Sequence, residues 1–123
     1  MSDLGLLRQD IAEQLTVDTT VPAYDYIPAR IVPPIYLVSS GSPYVESGDT
    51  YGSFKVRMNI DIVSATAAND VTTEALDTMI EDALVSLVNM GVGIENVQQP
   101  YQLDTGNAQY LSTTVSVTKT ISL

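Results

Sequence analysis

The densest set of groups able to do chemistry is a row of carboxylates, Glu74, Asp77, Glu81 and Asp82. Residues three or four apart are neighbours on a helix, so Asp77 and Glu81 have the spacing to share a hard cation or to act as an acid–base pair. Such a row is more commonly the solvated face of an amphipathic helix, and nothing basic or glycine-rich gathers beside it. The rest of the chemical repertoire is thin. The chain has no histidine, hence no imidazole base or ligand, and no cysteine, hence no disulfide, thiolate ligand or thiol nucleophile. Ser39, Ser40, Ser42 and Ser47 lie in loop-like sequence, outside any Gly-x-Ser-x-Gly elbow. Gly41-Ser42-Pro43 lacks the lysine and the following helix that a phosphate cradle needs. The reading is therefore not an enzyme, with no catalytic residue, cofactor or metal expected; a metal-dependent enzyme built on the acidic row is the distant alternative.

Charge points the same way. Five Lys+Arg stand against fifteen Asp+Glu, a formal charge of −10, and such a body repels phosphates rather than reading a nucleic-acid sequence. Two of the few cations, Lys55 and Arg57, share one face of a strand, and Lys119 lies near the end of another. The plain reading is cross-strand pairing with residues such as Asp61, worth under about 1 kcal/mol each when exposed. The functional reading is that Lys55 and Arg57 meet Glu74, Asp77 and Glu81 of a neighbouring copy.

These groups must be positioned by a strand and a helix between Tyr51 and Val88. From Phe54 to Ile62 apolar residues fall on every second position, the mark of a half-buried strand. From Ala75 the pairs Ala75/Leu76, Met79/Ile80, Ala83/Leu84 and Leu87/Val88 draw one apolar stripe down a helix. Asn69 or Asp70 is the candidate N-cap, and Gly91 closes the far end. Ser2–Leu15 reads as a first helix capped by Ser2, with Leu4, Leu7, Ile11 and Leu15 inward, stopping near Thr16 in a β-branched run that ends at Pro22.

Prolines at 22, 28, 33 and 34 restrict Ala23–Pro34 to a short edge strand near Tyr24–Ile27 and an extended crossing segment. Ile35–Ser39 is a short, continuous apolar strand, a pattern of burial on both faces or of a protected position beside a longer strand. Residues 40–52 are expected to form an extended arm, either a tolerated surface insertion or one that docks on a partner. Tyr44, Val45 and Tyr51 favour docking, because a solvated loop has little use for such side chains, and Tyr44, Val45, Asp49 and Tyr51 are the candidate partner contacts. Val92–Gln98 and Tyr110–Ile121 supply two more strands, joined by a loop at 100–109. Tyr110, Ser112, Thr114, Ser116, Thr118 and Thr120 form a polar ladder on one face of the last strand, open to water or covered by another copy. The expected fold is a single α+β domain over 1–123, in α-β-β-α-β-β order. It has an antiparallel four-stranded sheet with both helices on one face. No apolar run approaches the roughly 20 residues of a membrane span, and the start lacks a signal core, so a soluble, unexported protein is expected.

Several segments resemble one family. The run Tyr24-Asp25-Tyr26-Ile27-Pro28-Ala29-Arg30, then Val32-Pro33-Pro34 before a short apolar strand, resembles the tail terminator proteins of bacteriophages with long, flexible, non-contractile tails. So do Gly48-Asp49-Thr50-Tyr51-Gly52-Ser53-Phe54 opening a long alternating strand, and Ala67-Ala68-Asn69 before an acidic helix. The likeness runs from about residue 3 onward. It implies a virion protein at the head-proximal end of the tail, present in the host cytoplasm during assembly. Its partners would be itself, in a ring typically of six copies (a hexamer), the tail tube protein, and the head-completion or connector proteins. The ring would stop tube polymerisation and let DNA pass through its lumen without sequence-specific binding. A head-completion (neck) or other minor tail protein is the neighbouring alternative, and a monomeric binding module a third.

Overall fold

The alternation from Phe54 to Ile62 builds the middle strand of the sheet. The computed structural model describes residues 2–30, 32–66, 70–104 and 109–123. In it β3 (Ser53–Thr66) runs antiparallel between β2 (Ile35–Ser47) and β6 (Gln109–Ser122). Val56, Met58, Ile60 and Ile62 are buried on one side, while Lys55, Arg57, Asn59 and Asp61 point to the other.

The helices cover one face only. In α1 (Asp3–Thr19) Ile11, Ala12 and Leu15 are buried, and in α2 (Asp70–Asn89) so are Leu76, Met79, Ala83 and Leu87. They close one core with Tyr36 and Val38 of β2, the buried β3 residues, and Val115 and Val117 of β6. Ser2 caps α1 as expected, its hydroxyl accepting from the Gly5 amide at 3.0 Å. The helix runs past Thr16, and the Thr16 and Thr19 hydroxyls, which could compete for the backbone, instead donate back to the carbonyls of Ala12 and Leu15. It stops at Thr20, in the left-handed conformation at φ 58°. On α2, Ala75 and Val88 of the expected stripe are exposed, and Ser86 is buried instead, donating to Asp18 at 2.7 Å.

The sheet is six-stranded and mixed, not four-stranded and antiparallel. Its order is β1-β2-β3-β6-β4, with β5 also on β6. β1 (Ala23–Tyr24) runs parallel to β2, entered through the Tyr36 amide donating to the Pro22 carbonyl. The edge strand expected near Tyr24–Ile27 is thus shorter, starts one residue earlier and is parallel; two residues are too few for a period to show in the sequence. β5 (Tyr101–Asp104) forms where a loop was expected. β4 (Gly93–Val97) pairs β6 only along 115–118, leaving the edge at 109–112 for β5 to cover.

The expected arm is also different. Residues 40–47 continue β2 beyond a register shift between Ser40 and Val45, so only 48–52 form the turn. A Cβ at Gly48 would lie 2.3 Å from the Ser53 hydroxyl, and Gly52 takes φ +83°, so both positions require glycine. Asn69, a candidate cap, and residues 105–108 of the expected loop lie outside the described residues, as do Ile31 and the Ala67–Ala68 part of the resemblance. Among the described residues no helix is long and apolar enough to cross a membrane.

Candidate functional site

The sheet face away from the helices is where this fold exposes its polar chemistry. Arg57 stands at its centre. Its guanidinium donates from Nη1 to Glu46 of β2 and from Nε to Glu95 of β4 at 3.1 Å, tying three strands together. Asp61 is not its partner: that carboxylate accepts from the Thr114 hydroxyl at 2.7 Å. Lys55 makes no ion pair among the described residues, although it lies directly across from Glu46. Lys119 points to the helix side, where its ammonium donates to the Gly91 carbonyl at 3.3 Å, a cation at the end of α2.

The polar ladder of β6 is only partly wet. Ser112 and Thr114 are buried, their hydroxyls donating to the Ile62 carbonyl and to Asp61, and on the opposite face Thr113 is buried too, donating to the Gln98 carbonyl. Beside them Ile35, Leu37 and Val63 form a second apolar cluster with Tyr24 and Tyr110, so Ile35–Val38 is buried on both faces as its sequence predicts.

Next to this cluster lies a groove of about 500 Å³. Its lining includes the buried Leu37 and Val63, the half-buried Asp25 and Asp61, and the exposed Tyr26, Ile27 and Tyr101. Tyr26 sits edge-on to Tyr24 at 5.6 Å, which fixes its place in that lining. Ile27 is 78% exposed and Tyr26 62%, large apolar surface left uncovered by the chain itself. No local sequence pattern marks this groove. The nearest signal is the pair Tyr26-Ile27 before Pro28, apolar residues in a stretch that proline keeps out of the sheet ladder.

At the other end of the sheet is the hairpin turn. The Thr50 amide and hydroxyl donate to the Ser53 hydroxyl, which donates to the Thr50 carbonyl at 2.8 Å. The Leu123 amide donates to Gly52, tying the tip to the chain after β6. On this braced turn Asp49 is exposed and Tyr51 wholly so. Tyr44 is not at the tip; it packs against the core, its hydroxyl accepting from Arg8 and its ring 5.9 Å from that guanidinium. Val45 is 38% exposed on the same strand.

Glu74, Asp77, Glu81 and Asp82 are exposed along α2, and among the described residues no three carboxylates gather as a metal would require. Among the described residues Tyr36 is the one group whose ionisation is clearly displaced. Burial pushes its hydroxyl up to about 12; a hydrogen bond with Thr19 opposes this and the charge of Asp82 adds to it. Its hydroxyl donates to the Met79 carbonyl at 2.9 Å, a brace between sheet and helix.

The arrangement thus offers two separate contact surfaces, a groove and a tip, and no converging set of reactive groups among the described residues. No protein-family model matches the chain, and no curated protein matches its sequence.

Proposed function

We propose that this chain is a structural assembly protein, the tail terminator of a long, non-contractile bacteriophage tail. Copies form a ring, six by the resemblance, at the head-proximal end of the tail tube. The ring halts tube growth and presents a surface to the head connector. The observation that carries this reading is Tyr51, a tyrosine fully exposed on a turn braced by hydrogen bonds. A rigid aromatic costs little entropy to immobilise and is a preferred anchor at protein interfaces. The segment around it, from Gly48 to Phe54, is also one of those that carry the resemblance.

The charge fits passage of DNA through such a ring. A subunit at −10 repels phosphates, so a lumen lined by its acids lets DNA slide without sticking. A ring whose channel is lined by basic side chains would contradict that part of the proposal.

The test is addition of the purified protein to polymerising tail tube protein. Tubes of limited length, capped at one end, are expected. Tubes whose length distribution is unchanged at saturating protein would refute the terminator role. Capped tubes that still fail to join heads would favour a minor tail protein over a terminator.

A further inference from the structure

We infer that the hairpin tip of one subunit seats in the groove of the next, Tyr51 against Tyr26, Ile27 and Tyr101, and Lys55 toward Asp25 and Asp61. The inference rests on the ring reading and specifies its contact. Both surfaces lie on one chain and they differ in kind. The tip presents an exposed aromatic and, a few residues on, a lysine without an ion pair among the described residues. The groove presents uncovered apolar side chains and two carboxylates without a cation partner among the described residues. Arg8, which also lines the groove, is held to Tyr44.

A subunit cannot use its own tip for this. Groove and tip are separated along β3 from Val63 to Ser53, roughly 30 Å at about 3.3 Å per residue, and the hydrogen bonds of the turn hold the tip straight. Tip and groove can therefore meet only between copies. The two patches are different surfaces, so their contact is head-to-tail, the kind that closes into a ring when the rotation per subunit allows. The occupant suits the site in charge as well. In a chain with five Lys+Arg and fifteen Asp+Glu, contact between copies is repulsive unless a free cation is brought to the acids. The groove's volume of about 500 Å³ leaves room for an aromatic ring with its flanking atoms.

The absence of cysteine makes the test clean. The double variant Ala29→Cys, Asp49→Cys, which flanks the contact at two exposed positions and keeps Tyr51 and Ile27, oxidised under assembly conditions, should give a ladder of covalent species up to ring size on a denaturing gel. The control pair Val85→Cys, Asp49→Cys, with its first cysteine exposed on α2, should give none. Dimers alone would mean a two-fold contact and overturn the inference. Assembly seen by light scattering without a ladder would overturn the contact and leave the ring standing, whereas a chain that stays monomeric even with tail tubes present would overturn both. As a second measurement, Lys55→Glu should weaken association about tenfold. Asp25→Lys in the same chain should restore it, while Asp77→Lys, an equal charge change on α2, should not. Equal rescue by both would reduce the effect to net charge and overturn the pairing.

Discussion

Replacing Arg57 with alanine separates the two roles a cation on this sheet face can have. In the structure it bridges Glu46 and Glu95, with side chains 21% exposed on the arginine and 42% and 36% on its partners. Pairs this wet are each worth about 0.2–1 kcal/mol. Removing both, and leaving Glu46 and Glu95 to face each other in a chain of charge −10, should cost about 1 kcal/mol. For a domain of this size that lowers the melting temperature by about 4 °C. The assay is urea unfolding at low and high salt, and the difference between wild type and Arg57→Ala should shrink as salt screens the pairs. The variant should still assemble, because its arginine is committed within the chain. An unchanged stability together with lost assembly would refute this reasoning and return Arg57 to the subunit contact that its sequence position suggests.

Tyr51→Ala should leave stability within about 0.5 kcal/mol, as the ring packs on nothing, yet abolish tube capping; measured capping at wild-type level would remove the tip from the interface. Gly48→Ala should destabilise by about 1–3 kcal/mol, since the new Cβ meets the Ser53 hydroxyl at 2.3 Å and must break the turn's hydrogen bonds. Thermal melts decide it. Tyr36 ionises at about 12 in the folded chain against about 10 unfolded, so above pH 10 the unfolded state loses its proton first. Stability should therefore fall from pH 10 towards 12, and Tyr36→Phe should lessen that fall in denaturant titrations while losing about 1 kcal/mol at neutral pH with the Met79 bond. Calcium or magnesium should leave the melting temperature unmoved. A rise would revive the acidic row on α2 as a cation site.

What was legible in the sequence followed from period and caps. The alternation of β3, the stripe of α2 and the Ser2 cap each express a local rule, and each stands in the structure, except that Ala75 and Val88 at the ends of the stripe are exposed. The misses fell where the deciding force is not local. β1 is a strand only because β2 offers an edge to Ala23 and Tyr24, and β5 only because β6 outruns β4. Residues 40–47 carry glycine, proline and serine like a loop, but β3 supplies a ladder to which they return after the shift at Ser40. Cross-strand pairing of Arg57 is present, but not with Asp61, which lies on the same strand; the long side chain reaches Glu46 and Glu95 on other strands. The groove was hidden for the same reason, since Tyr26, Asp61 and Tyr101 become neighbours only once the sheet is folded.

The central claim is that this chain closes the tail tube as a ring. Electron microscopy of assembled tails, with the protein labelled, tests it most directly. A single ring of label at one end of every tube, at the head-proximal side, is the predicted result. Label spread along the tube, or tails that end normally without the protein, would contradict it.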